Sequence, residues 1–251
     1  MTCASLMLVT YNRLDLTKRM LGNLFKNTDY PYRLIIVDNG SSDGTQEWLK
    51  SLPKDNAHCN GIDLQLCEKN YGIAIGRNLG LDIANKYNDP WLSTIDNDIE
   101  VPKGWLTSCI DIMKVNPRFS IGINMEGVNY PSMTANGKSF QYKSNGNLGS
   151  ACMVFSRALH EKIGYFNADY EFYGHEDADW GFRARRVGWS LGYLKENGVH
   201  FGSGDLDVGE YREFKNEFGK KNLPKFYQDC RDYMGGKKNV YIPLKKPADI
   251  I

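Results

Sequence analysis

The sequence lacks any run of about 18 apolar residues, so nothing in it reads as a membrane-spanning helix. It also lacks a charge of one sign. Thirty-one Lys and Arg stand against 30 Asp and Glu, a formal net charge of +1, which excludes a global field drawing the chain to nucleic acid or anionic lipid. Its six cysteines (Cys3, Cys59, Cys67, Cys109, Cys152, Cys230) include no Cys-x-x-Cys spacing, and several lie in apolar runs where a reduced thiol packs as a small hydrophobe. A soluble, cytoplasmic chain is expected, since no basic stretch precedes the first apolar run as in a signal peptide. There is no Gly-x-Gly-x-x-Gly and no P-loop lysine, so neither dinucleotide binding nor ATP hydrolysis is supported. Repeats and low-complexity linkers are missing as well.

What is present is alternation. With 41% hydrophobic residues, 251 residues suffice for one large core. "SLMLVT" (5–10) reads as a strand, and Leu14, Met20, Leu21, Leu24 and Phe25 follow at helical spacing. "RLIIVDNGSSDGTQEWLKSL" repeats the plan, with Ser42 or Asp43 as helix cap. "IDLQLCE" leads through "KNYGIAIG" to a helix carrying Leu79, Ile83 and Ala84, and "WLSTID" resumes as strand. Such alternation predicts parallel βαβ units with functional loops at the carboxyl ends of the strands. A helix in "GWLTSCIDIMKV" and a strand "FSIGI" precede a long polar stretch. Regularity returns with "ACMVFS", "RALHEKIG", "EDADWGFRARRVG" and "WSLGYL", and two tail helices are expected around 208–219 and 222–234.

Chemistry gathers at the strand ends. Asp96 and Asp98, separated by Asn97, close the strand "WLSTID"; hard oxygens at short spacing suit a divalent cation on a diphosphate, though an acidic turn is the plain alternative. Asp38, ahead of a Gly/Ser turn, suits a nucleobase imide or a ribose hydroxyl, or simply caps a helix. Thr10, Tyr11 and Arg13 leave the first strand, where a ring would stack on a base and a guanidinium would face phosphate. "NYGIAIGRN" places Gly72, Gly76, Arg77 and Asn78 at a helix start that favours anions. The densest cluster is "YGHEDADWGFRARR": His175, Glu176, Asp177 and Asp179 need a cation, hydrogen bonds or solvent to coexist. Glu176 or Asp177 would serve as general base, while Asp179 is placed to pair with Arg183 at i+4. His200 reads as structural, or as a neutral imidazole completing a metal shell with Asp98. His58 and His160 carry no assignment.

Taken in order, "VTYNR", "IIVDNGSSDGT", "NYGIAIGRN", "IDND", "GSACMVFSRALHEKIGYF", "GHEDADWGFRARRVGW" and "VHFG" resemble the inverting family-two glycosyltransferases of the GT-A fold, over residues 4 to 202. The resemblance implies an α/β, Rossmann-like domain over 1–204, with a central mostly parallel sheet flanked by helices and a helical C-terminal extension over 205–251. It implies a nucleotide-sugar donor, UDP-sugar first among candidates, held by Thr10, Tyr11, Arg13, Asp38, Asn70, Gly76, Arg77, Asp96 and Asn97. Mn²⁺ or Mg²⁺ would be bound by Asp98, with His200 and Asp96 as further candidates. Asp177 is then the catalytic base with Glu176 orienting it, and Gly149, Ser150 and Trp180 contact donor sugar or acceptor.

The implied acceptor is a saccharide, a lipid-linked sugar or a modified macromolecule. Lacking a Gln-x-x-Arg-Trp motif and spanning helices, the chain is expected to make single hexosyl transfers rather than a polymer. Two other readings are a sugar-1-phosphate nucleotidyltransferase, which would want a Gly-rich loop with Arg and Lys after the first strand, and a silent nucleotide-sugar-binding module. The Lys-rich "KKNVYIPLKK" reads as a solvated tail or as a contact for an anionic acceptor, lipid headgroup or nucleic acid.

Overall fold

The computed structural model describes residues 2–53, 57–125, 127–201, 210–245 and 247. Four β-strands run through residues 4–96: β1 (Ala4–Thr10), β2 (Tyr32–Asp38), β3 (Cys59–Leu66) and β4 (Trp91–Asp96). Helices α1 (Leu14–Asn27), α2 (Thr45–Lys50) and α3 (Ile73–Ala84) connect them. A short strand β5 (Ile99–Glu100), helix α4 (Trp105–Val115) and strands β6 (Phe119–Gly122), β7 (Ser132–Ala135), β8 (Lys138–Lys143) and β9 (Cys152–Ser156) follow. Then come α5 (Arg157–Ile163), a 3-10 turn at Ala168–Tyr170, α6 (Glu176–Arg186), β10 (Ser190–Leu194), β11 (Val199–His200) and α7 (Glu210–Met234).

Nine strands form one sheet in the order β3-β2-β1-β4-β9-β6-β10-β8-β7. The first four are mutually parallel, as βαβ crossovers require. Beyond β4 the sheet is mixed: β9 runs antiparallel to both neighbours, β6 and β10 pair in parallel, and β8 and β7 complete an antiparallel edge. The α/β architecture expected from the sequence is the one observed. The long polar stretch is the β7–β8 hairpin and the loop after it.

Period-two alternation divides the core. Leu6 and Leu8 of β1 face one layer with Met20, Leu21 and Leu24 of α1 and Trp105, Ile110 and Met113 of α4. Met7, between them, faces the other with Leu81 of α3, Leu159 of α5 and Trp180 of α6. Helix α3 lies close on β1 because it presents Gly76, where a Cβ would sit 2.8 Å from Val9 Cγ1.

The C-terminal region departs from expectation. Instead of two helices, one 25-residue helix runs through Pro224. Proline forfeits a helical hydrogen bond, but tertiary contacts hold the helix across it. Asp229 and Tyr233 lie on its buried face, and Tyr233 Oη donates to Asp179 Oδ1 at 2.8 Å. The expected domain boundary at residues 204 and 205 lies outside the described residues, as do Gly202 of "VHFG" and the start of the first tail helix at 208. Among the described residues no helix is long and apolar enough to cross a membrane.

Candidate active site

The chain reverses its direction of travel across the sheet at β1 and β4, which opens a crevice at their carboxyl ends. A cleft of about 740 Å³ occupies that crevice. All the residues that the family resemblance assigned line it except Asp38, Gly76 and Trp180.

The first-strand exit is unusual in its backbone. Asn12 and Arg13 both hold positive φ (52° and 62°), a sterically costly pair for non-glycine residues. Hydrogen bonds to the next strand's turn hold them there: the Asn12 N–H donates to Ser41 Oγ at 2.7 Å, and Asn12 Oδ1 accepts from the Ser42 N–H at 2.9 Å. Arg13 is thereby aimed at Asp98, Nη1 to Oδ2 2.9 Å.

His200 reaches the same carboxylate through long-range pairing. Strand β11 lies antiparallel to β5, with His200 opposite Ile99, and the Phe201 N–H donates to the Asp98 carbonyl at 2.9 Å. The imidazole Nε2 then stands 3.6 Å from Asp98 Oδ1. Burial and the neighbouring Asp96 push the Asp98 carboxyl above its ordinary pKa, opposed by His200 and Arg13. One hard carboxylate and a borderline imidazole, in a cleft wide enough for a diphosphate, fit a first-row divalent ion completed by ligand oxygens. Among the described residues no three His, Cys, Asp or Glu side chains group as a cage for an ion.

Arg77, 2% exposed, links the two halves of the site. Its Nη2 donates to Asp96 Oδ1 at 2.9 Å and its Nη1 to Glu176 Oε1 at 2.8 Å. The sequence assigned this guanidinium to an anion; its partners are carboxylates of the protein 19 and 99 residues away. Burial, then the charge of Asp177, drive Glu176 up to about 7, against the pull of Arg77. Asp177 is likewise raised by burial and held down by Arg77 and by backbone N–H groups of Ala178 and Ser150. Both acids sit in the first turn of α6, where the helix dipole favours negative charge. Asp179 pairs with Arg183 at 2.6 Å, both fully buried, the i+4 pairing expected.

Three predicted contacts lie off the cleft wall. Asp38 is fully buried, and its Oδ1 accepts from Gly40 N, Ser41 N and Gln46 Nε2, shaping the turn; its buried Oδ2 has no partner among the described residues. Asn39, which the sequence reading passed over, lines the cleft instead and donates to Asn70 Oδ1 at 2.8 Å. Gly76 serves helix–strand packing. Trp180 is a core residue, 1% exposed and 5.1 Å from the Phe155 ring in an edge contact, so it is withdrawn from the sugar-contacting set. The i,i+3 spacing from Asp177 turned it inward, since α6 buries that face against the sheet.

Gly149 and Ser150 do face the cleft, with the Gly149 N–H donating to Tyr193 Oη at 3.0 Å. The sequence reading missed Phe214, Lys215 and Gly219 of α7, which also line it. No motif marks them; only the packing of α7 against the loop before α6 brings them in.

The sheet order and the crevice at its carboxyl ends are those of the GT-A fold. Solved structures agree in fold: TarS from S. aureus (18% identity, TM-score 0.60, 92% of this chain and 43% of that one), and the mannosyltransferase PcManGT from Pyrobaculum calidifontis, in complex with GDP-Man and Mn²⁺ (15%, 0.61, 98% and 66%). The family model "Glycosyl transferase family 2" matches residues 5–164, and the chain belongs to that family. Among its curated relatives is the chondroitin synthase of Pasteurella multocida, 25% identical over 313 residues; the chain spans 31% of it. A further relative is the N-acetylglucosaminyl-diphospho-decaprenol L-rhamnosyltransferase of Mycobacterium tuberculosis (24% identical, 74% of this chain and 71% of the relative).

Proposed function

We propose that the chain is a metal-dependent, inverting hexosyltransferase that makes single transfers from a nucleotide-diphosphate sugar, UDP-sugar first, to a hydroxyl. The observation that carries this reading is the division of one cleft. Asp98, His200 and Arg13 meet on one wall, while Asp177, with a raised pKa, stands on a separate element.

In single displacement the acceptor oxygen attacks the anomeric carbon as the bond to the diphosphate breaks. The acceptor proton passes to Asp177, and the nucleoside diphosphate departs with the electron pair. Asp177 must be ionised to act, and burial, which raises its pKa above that of an ordinary carboxyl, makes it the stronger proton acceptor once ionised. Glu176, held by Arg77, orients it. Asp98 and His200 would hold Mn²⁺ or Mg²⁺, which supplies charge neutralisation to the departing diphosphate. Arg13 adds a cation on that wall.

Donor recognition falls to Thr10, Tyr11, Asn70, Asp96 and Asn97, all on the cleft wall, with the buried Asp38 shaping the turn behind them. The acceptor is a saccharide, a lipid-linked sugar or a modified macromolecule, and the rhamnosyltransferase relative favours the lipid-linked sugar. Six free cysteines support a cytoplasmic setting. A thermal-shift panel of nucleotide sugars with and without Mn²⁺ tests the reading, since a specific ligand stabilises the fold by mass action. Metal-dependent stabilisation by one donor is expected. Stabilisation by none, or pyrophosphate release from a nucleoside triphosphate and a sugar phosphate, would overturn it.

A further inference from the structure

The loop that delivers Asp177 is gripped from outside the family motifs. His175, the residue before α6, holds φ 72°, a left-handed conformation that costs a residue with a Cβ. Its Nε2–H donates to the Gly219 carbonyl of α7 at 3.0 Å; a carbonyl only accepts, so this nitrogen carries the proton. The ring also stacks on Phe226, centroids 5.6 Å apart and planes 13° apart.

Asn222, 3% exposed, donates through Nδ2 to the carbonyls of Tyr170 and Tyr173. Gly174 completes the contact: a Cβ there would come within 3.2 Å of Gly219 Cα. Opposite, the Ile73 N–H of α3 donates to the Phe172 carbonyl at 3.1 Å. Loop 170–175 is thus clamped between α3 and α7.

The clamp has a foundation. Tyr170 Oη donates to Asp229 Oδ2 at 2.9 Å, Tyr233 Oη donates to Asp179, and Lys238 pairs with Asp229 at 2.9 Å. These groups fasten α7 to α6 through Tyr233 and to the turn at Ala168–Tyr170 through Asp229. None of them touches the cleft, so their effect on chemistry passes through the loop.

We infer that His175 and Asn222 are positioning residues, through which α7 holds loop 170–175 and sets Asp177 in the orientation that takes the acceptor proton. The left-handed residue two positions before the base has no reason to stay strained without its tie, and the first turn of α6 would re-form without it. A displacement of about 1 Å at a catalytic group costs on the order of a hundredfold in rate. The role rests on the glycosyl-transfer reading above. It adds that the C-terminal helix is part of the acceptor-side machinery and leaves the donor wall alone.

The full chain tests this as wild type and as His175→Gly, His175→Gln, Asn222→Leu and Asp177→Asn. His175→Gly removes the tie while relieving the positive φ, so loss of fold would not explain loss of function. His175→Gln keeps a donor of similar reach. Two readouts apply: hydrogen exchange of residues 170–178 against residues 4–10, and nucleoside-diphosphate release from UDP-N-acetylglucosamine and GDP-mannose with Mn²⁺, water serving as acceptor.

Expected for His175→Gly and Asn222→Leu are faster exchange confined to 170–178 and about a tenfold or greater fall in turnover. UDP or GDP affinity should stay within about twofold, and His175→Gln should recover most of the turnover. Unchanged exchange, unchanged turnover, or a parallel loss of nucleotide affinity would overturn the inference. Inactive Asp177→Asn beside normal His175→Gly and Asn222→Leu would remove the clamp and keep the base. A fully active Asp177→Asn, or a wild type releasing neither nucleotide, would instead remove the proposed chemistry and the clamp's role with it.

Discussion

The two sides of the cleft are built differently. On the donor side, the strand ends of β1, β2 and β4 deliver their loops directly, and parallel pairing in continuous register fixes where each loop emerges. On the other side the sheet turns antiparallel, and the base arrives on a helix whose entry loop is fastened by α7, about 45 residues further along the chain. Local sequence therefore governs the donor wall except for His200, which the pairing of β11 with β5 brings in, and long-range packing governs the wall that carries Asp177. Arg77 is bonded to both, through Asp96 and Glu176.

That contrast can be broken at several points. The largest effect belongs to Asp177→Asn, expected to cut transfer by about 10²–10⁴-fold while Mn²⁺-dependent nucleotide binding persists. Kinetics and calorimetry on one preparation separate these two readouts. Next is Arg183→Met, which removes the cationic partner of the fully buried Asp179 on the base-bearing helix. It is expected to cost about 3–5 kcal/mol in urea unfolding, with the resulting looseness confined to α6 and α7 rather than β1.

The pH dependence of stability sharpens the comparison further. His160, buried with Nδ1–H donating to the Gly164 carbonyl, has its pKa depressed to about 4 by burial, assisted by Arg157 and Arg183. Its folded pKa lies below the unfolded value of 6.5, so its contribution is complete above pH 6.5 and is lost as pH falls through about 4. No more than about 3 kcal/mol is at stake. Glu176 has the opposite sign: raised from 4.5 to about 7, it makes the fold less stable as pH climbs through that interval. His160→Gln is expected to flatten the acid limb of a Tm-versus-pH curve and leave the Glu176 limb in place. The smallest effect is on the donor side. Gly76→Ala drives a methyl against Val9 and is expected to cost about 1–3 kcal/mol, relieved by Val9→Ala in a double-mutant cycle.

Much of this was legible in the chain. Hydrophobic alternation located the strands and helices through β4, because a βαβ unit is a local object whose turns carry their own Gly, Ser and Asp signals. The pairing of Asp179 with Arg183 was likewise readable from spacing on one helix. The direction of Trp180 was not: spacing alone put it beside Asp177, and only the placement of α6 on the sheet showed that this face points into the core. The tail was expected as two helices, around 208–219 and 222–234, and the contacts that hold it as one lie in loop 170–175 and in α6.

By itself the sequence determined the order of the elements, the carboxylates at the strand ends, and the acidic start of α6. Tertiary structure decided which groups meet. Bringing His200 to Asp98, Arg77 to Glu176 and α7 to the base loop closes chain separations of 102, 99 and 44 residues. Those meetings depend on strand pairing and helix packing assembled across the whole chain, and no short stretch of sequence encodes them.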